Sequence, residues 1–189
     1  MIYLTFDAGY ENGNVEKVLD TLKKHNVPAA FFILDNLIYR NCDLVKRMAN
    51  EGHIVANHTK NHPDMTKIED KDKFEKQLKD LADLYKEKIG KEMPKYYRPP
   101  EGRFSEQNLR YAKELGYKTI FWSFAYADWD NGNQPCPGKA LKKILAHTHN
   151  GEVLLLHPTS STNAAILDEL ITTLRKQGYS FGTLDELTK

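Results

Sequence analysis

At 189 residues the chain has room for one domain with a sizeable core, and not for two of ordinary size. Lys plus Arg number 27 against 26 Asp plus Glu, a formal net charge of +1, which argues against nucleic-acid binding driven by bulk charge. No apolar run approaches the ~20 residues of a membrane-spanning helix, and the two cysteines, Cys42 and Cys136, can neither staple such a fold nor form a metal-type spacing.

Residues 2–6, β-branched and aromatic, predict a first strand. Residues 14–25 place Val15, Val18, Leu19 and Leu22 on one helical face. Pro28 introduces the apolar run Ala29 to Leu34, of the kind buried on both faces of a parallel sheet. Leu44, Val45 and Met48 predict a helix over 43–51, and 54–56 is a brief strand. The longest helix is predicted over 70–89, with Phe74, Leu78, Leu81 and Tyr85 inward and Lys and Glu in solvent. Tyr96-Tyr97 leads into Arg98-Pro99-Pro100, and Ser105 caps a helix that Gly116 stops. Then follow a strand over 117–123, a loop over 131–138, a helix over 139–148, a buried strand over 153–156, a helix over 163–177 and a last strand over 179–181. About seven strands, most joined by helices, imply a mostly parallel α/β sheet, either open and doubly wound or closed into a barrel. No repeat or linker divides the chain, so residues 1–189 read as one domain.

The polar residues collect at strand ends. Asp7 follows the first strand, His58 and His62 the third, and Arg98 ends the fourth; Asp128 lies beyond the fifth, and His157 directly follows the sixth. In a barrel such positions ring one mouth, whereas an open sheet gathers a ligand only at a switch point. Convergence therefore favours a barrel. A full eightfold barrel takes about 250 residues, so this one is expected to be distorted or incomplete, with about seven parallel strands.

His58 and His62, four apart, would share a face on one helical turn and reach one metal ion; two surface histidines are the alternative. Asp7 is a site acid or a helix cap, and the helix starts too late for a cap. Arg98, stiffened by two prolines, suits a carboxylate partner or merely ends a surface turn. His157 with an acid partner suits general acid–base work, against the alternative of a buried structural histidine. Trp122 is expected in the core.

The segments Thr5 to Tyr10, His58 to His62, Arg98 to Gly102, Asp128-Trp129 and Leu154 to His157, in this order, resemble the polysaccharide deacetylases, carbohydrate esterase family 4, with its NodB-homology domain. Residues 6–13, His62 to Met65, and Phe121-Trp122-Ser123 followed by Asp128-Trp129-Asp130 resemble the branch that de-N-acetylates N-acetylmuramic acid. That branch acts in forming the muramic δ-lactam of spore-cortex peptidoglycan.

The resemblance implies a distorted (β/α) barrel, with residues 1–189 as the catalytic domain, and hydrolysis of an N-acetyl amide on a sugar. It implies Asp7 as general base, Arg98 orienting it, and His157 as the acid that protonates the leaving amine, tuned by Asp128. His58 and His62 would bind a divalent metal: zinc, with cobalt or manganese as alternatives. The backbone N–H of Glu101 would hold the oxyanion, Trp129 and Leu156 would line the acetyl pocket, and Tyr10 would touch substrate. Ala8 stands where most members carry a second aspartate, the third metal ligand, so weakened but competent metal binding is expected. Glu101 stands where the muramic branch usually has arginine.

Two other functions stay open: deacetylation of N-acetylglucosamine in peptidoglycan or chitin, and an inactive glycan-binding domain. Ala8 supports the latter; the intact Asp7, Arg98, Asp128 and His157 oppose it. The expected partner is a peptidoglycan glycan strand rather than nucleic acid or membrane, met by a monomer. Peptidoglycan lies outside the cytoplasm, so an extracytoplasmic or secreted location is expected, with a signal segment removed ahead of the first strand.

Overall fold

The apolar runs of the sequence meet in one parallel sheet. In the computed structural model, which describes residues 1–189, six strands lie in the order β5-β4-β3-β2-β1-β6. They are β1 (Ile2–Ala8), β2 (Ala30–Ile33), β3 (Ile54–Asn57), β4 (Tyr96–Tyr97), β5 (Lys118–Thr119) and β6 (Glu152–Leu156), and every pairing is parallel. The connecting helices are α1 (Val15–His25), α2 (Asp35–Arg40), α3 (Cys42–Asn50), α4 (Lys71–Ile89), α5 (Glu106–Glu114), α6 (Pro137–His147) and α7 (Ser161–Lys176), with a short α8 (Leu184–Leu187) at the end. None is long and apolar enough to cross a membrane.

Closure is made by one segment. After β5 at one edge, the chain crosses to the other, where Phe124 bridges Leu154 in parallel and the Ser123 N–H donates to the Val153 carbonyl at 2.9 Å. The result is a distorted, incomplete barrel. The strand expected over 117–123 is thereby cut to Lys118–Thr119. Its cause lies inside the barrel: the Ile120 and Phe121 carbonyls turn onto the buried Arg98 guanidinium, at 3.1 Å each. The last expected strand, 179–181, shrinks to one bridge from Phe181 to Ile2, because Thr183 at once caps α8 with a capping box. Six strands therefore stand where about seven were expected.

Alternation along β1 separates an outer core from an inner one, and a third cluster of Met65, Phe74, Leu78, Tyr97, Ala112 and Tyr117 packs beneath α4 and α5. Ile2, Leu4, Phe6 and Ala8 join α1, α3 and α7 in the outer core of 33 buried residues. Thr5 and Asp7 point to the other side, where Arg98 meets both. The inner core is small: Ala30, Phe32, Ala56, Tyr96 and Ile120, with Leu184 of α8 packed against them. The predicted helices stand, with earlier starts for the last two large ones: Pro137 occupies the first turn of α6, and Ser160 caps α7. Cys42 and Cys136 are both free.

Candidate active site

The site is built on one buried ion pair. Arg98 follows β4 with no solvent exposure. Its Nη1 donates to Asp7 Oδ1 at 2.8 Å, its Nη2 to Thr5 Oγ1 at 2.9 Å and to the Phe121 carbonyl, and its Nε to the Ile120 carbonyl. Phe32 stacks 4.2 Å from the guanidinium on one side, and the Trp122 ring lies 5.6 Å away. Thr5 in turn donates to the Leu154 carbonyl, tying the arginine to β6. Burial alone pushes the Asp7 carboxyl up, but the charges of Arg98, His58 and His157 outweigh it and hold Asp7 below its ordinary pKa. Asp7 is thus a carboxylate of fixed direction.

His58 sits beyond β3. Its Nδ1–H donates to the Arg98 carbonyl at 2.8 Å, and its Nε2 lies 3.5 Å from Asp7 Oδ2. Burial pushes its pKa down, against the raising pull of Asp7, and the carbonyl on Nδ1 assigns the lone pair of the neutral ring to Nε2. The His62 ring stands edge-on at 5.0 Å. The expected helical turn is absent. Residues 58–62 form a loop with left-handed Thr59 (φ 73°) and His62 (φ 59°). The loop is tied by the Thr59 N–H to Asn57 Oδ1 and by the His62 N–H to Thr59 Oγ1. Pro63 disfavours helix at His62, and the loop brings the two rings together instead.

Opposite these, His157 follows β6. Its backbone N–H donates to Asp128 Oδ2 at 2.8 Å and its Nδ1–H to Asp128 Oδ1 at 2.7 Å. Burial lowers the His157 pKa, but the hydrogen bond and charge of the fully buried Asp128, with help from Asp7, raise it above the ordinary histidine value. Trp129 is exposed and packs edge-on to His157.

Asp7, His58, His62, Glu101, Trp129 and His157 line one cavity of about 590 Å³. Arg98 and Asp128 support it from behind. Leu156 does not line the cavity; it points into the outer core, and Leu155 faces the cavity in its place, because neighbouring residues of a strand face opposite ways. Tyr10 is exposed outside the lining, with its hydroxyl accepting from the Asn131 amide. Trp122, expected in the core, lines the cavity, as do Ala125 and Tyr126, for which the sequence carried no sign. Glu101 adopts a left-handed φ of 55°, and its carboxylate pairs with Arg103, which also pairs with Asp64.

Gly102 follows with φ 67°, and a Cβ there would lie 2.5 Å from the Trp122 ring. Gly102→Ala should therefore cost about 1–3 kcal/mol and displace Trp122; a melting curve unchanged from the parent would refute the tight contact.

Comparison with known proteins decides the family. The polysaccharide deacetylase family matches residues 1–120. The chain is 45% identical, over 98% of its length and 70% of the relative's, to the peptidoglycan-N-acetylmuramic acid deacetylase PdaA of Bacillus subtilis. This chain belongs to the polysaccharide deacetylase family. The solved structure of Bacillus subtilis PdaA, a family 4 carbohydrate esterase, superposes with a TM-score of 0.94, covering 98% of this chain and 79% of that one. The peptidoglycan-N-acetylglucosamine deacetylase PgdA of Listeria monocytogenes is 40% identical over 98% of this chain but 38% of its own length. As a member of this family, the chain is a deacetylase, a hydrolase.

Proposed function

We propose that residues 1–189 form a catalytic domain that removes the acetyl group from N-acetylmuramic acid in a peptidoglycan glycan strand, outside the cytoplasm and as a monomer. One observation carries the chemistry: an ionised Asp7 and a His157 of raised pKa line the same cavity, each set by a partner behind it. Amide hydrolysis needs both, one to activate water and one to protonate the departing nitrogen. The muramic assignment is supported by the likeness to PdaA across nearly the whole chain.

In this mechanism Asp7 takes a proton from water, and the oxygen attacks the acetyl carbonyl. Charge gathers on the carbonyl oxygen, beside the Glu101 N–H. His157 then delivers its Nε2 proton to the sugar nitrogen, the C–N bond breaks, and acetate and a free amine leave. Trp129, Trp122 and Leu155 form the apolar surround of the acetyl methyl.

The residues present fit a weakly held divalent metal. The Nδ1–H of His58 is bonded to a carbonyl, leaving its Nε2 lone pair free beside His62, which is the arrangement of a metal-binding histidine. Ala8, buried in the outer core, offers no oxygen, and no group of three His, Cys, Asp or Glu is placed to hold an ion. His58 and His62 would hold it; when bound, zinc, cobalt or manganese polarises the acetyl carbonyl and acidifies water. Chelation should therefore lower acetate release from peptidoglycan, and adding back any of these ions should restore it. Full activity in a metal-free sample would remove the metal from this mechanism.

The acid has its own test. Asp128→Asn takes the negative partner from His157, so its pKa falls and the proton is lost at lower pH. The high-pH limb of the kcat profile should move down, and kcat should drop by about 10²- to 10⁴-fold. An unmoved limb would take His157 out of the acid role. A second reading, N-acetylglucosamine as the target, is favoured by Glu101, whose carboxylate at the cavity suits a neutral sugar better than the lactyl carboxylate of muramic acid.

A further inference from the structure

Asp128 is held from two sides, and only one of them belongs to His157. The other is Asn163, three residues after the cap Ser160 in the first turn of α7, and 1% exposed. Its Nδ2 donates to Asp128 Oδ2 at 2.6 Å and to the His157 carbonyl at 3.0 Å. Its Oδ1 accepts from the hydroxyl of Tyr126, a cavity residue, and its backbone N–H donates to Ser160 Oγ. Gln134 ties the same loop to the same helix start: its Nε2 donates to the Asp128 and Asp130 carbonyls, while its Oε1 accepts from Ser160 Oγ and the Thr162 N–H.

We propose that Asn163 is a positioning residue of the deacetylation reaction, fixing the Asp128–His157 pair from the N-terminal turn of α7. This rests on His157 as the acid. The reasoning is one of donors and acceptors. An ionised carboxylate accepts only. Asp128 Oδ2 receives two N–H bonds, from Asn163 and from the His157 backbone, and Oδ1 receives one from the His157 ring. Each donor takes up part of the carboxylate's charge, so less of its pull falls on the imidazole. The single Asn163 amide also spans Asp128 and the His157 main chain, so carboxylate and ring keep one relative position. The amide's orientation is fixed by Asp128 and the His157 carbonyl, which accept only, since a flipped amide would set its oxygen against both. Through its hydroxyl on Asn163 Oδ1, Tyr126 connects the acetyl cavity to the support of the acid.

The test is a pair of variants with kinetics across pH. Asn163→Leu keeps the volume and removes both donations. Asp128, with one donor fewer, pulls harder on His157, so the high-pH limb should move up by about half a unit or more. The groups facing His157 besides Asp128 are Asp7 and Arg98, and neither is altered. The looser geometry should lower kcat by about 10- to 10²-fold, with KM changed far less. Asn163→Asp, of the same shape but carrying a second carboxylate against Asp128, carries the test if the leucine variant does not fold, with an upward shift again expected.

A reference of reduced stability is Thr183→Ala, which breaks the distant capping box of α8; it should lower the melting temperature and leave the pH limb in place. A folded Asn163 variant with the parent's kcat and pH limb overturns the proposal, as does a kcat loss matched by Thr183→Ala. His157→Asn separates the two levels. If that variant stays active, the acid assignment itself has failed; if it is inactive while the Asn163 variants are normal, only the positioning role has.

Discussion

With Asp7 as the proposed general base, Asp7→Asn should lower the rate of acetate release by about 10²- to 10⁴-fold, the contribution of a positioned base, with little change in KM. The substitution keeps size and shape. It also keeps an oxygen for Arg98, so the scaffold around the base persists. What it removes is the carboxylate that lines the cavity beside His58 and His157 and is held below its ordinary pKa. The buried guanidinium loses its counter-charge, so the melting temperature falls as well. Acetate release and a thermal melt on the same preparation separate the two effects. A folded variant within tenfold of the parent rate would take Asp7 out of the base role.

Arg98→Met strikes fold and chemistry together. Removing one member of a buried ion pair costs about 3–5 kcal/mol, because the other charge is left without a partner. Here the loss extends further, since the guanidinium also holds Thr5 and the Ile120 and Phe121 carbonyls, which turn inward to reach it. Those carbonyls belong to the segment that closes the barrel, so urea unfolding should show the destabilisation directly. Without Arg98 the Asp7 carboxyl, in a buried position, climbs in pKa, and the base is protonated over more of the working range. Activity should fall along with stability. Arg98→Lys should not restore it, because one ammonium on a flexible stem cannot reach four acceptors that fix a planar fork. A lysine variant of parent stability and rate would contradict this picture of the ion pair.

The architecture and the mouth of the barrel were legible because both are written in local patterns. An apolar run followed at once by a charged residue marks a buried strand and the residue at its end; Asp7 and His157 are both of this kind. Arg98 was legible through the two prolines after it. Long-range demands were not. The inward turn of Ile120 and Phe121 exists to serve a guanidinium more than twenty residues earlier, and no propensity in 117–123 announces it. The histidine loop shows the same limit: spacing proposed a helical turn, while left-handed Thr59 and His62 achieve the approach by another route. Leu156 against Leu155 turns on the parity of one strand position, which needs the strand's end to be known to one residue. Asn163 reads in sequence as an ordinary first-turn residue after a serine cap; only the fold brings Asp128, from 35 positions earlier, against its amide.

The most direct measurement is product analysis on defined substrates: muropeptide chains stripped of stem peptides, and chitooligosaccharides, each incubated with the protein and resolved by mass spectrometry with sugar-specific fragmentation. A muramic acid de-N-acetylase releases acetate from the muropeptides and leaves the free amine on the muramic ring, with the chitooligosaccharides untouched. Acetate released only from glucosamine residues, or only from chitooligosaccharides, would contradict the muramic assignment. No acetate from either substrate, with zinc, cobalt or manganese supplied, would contradict catalysis on these glycans altogether.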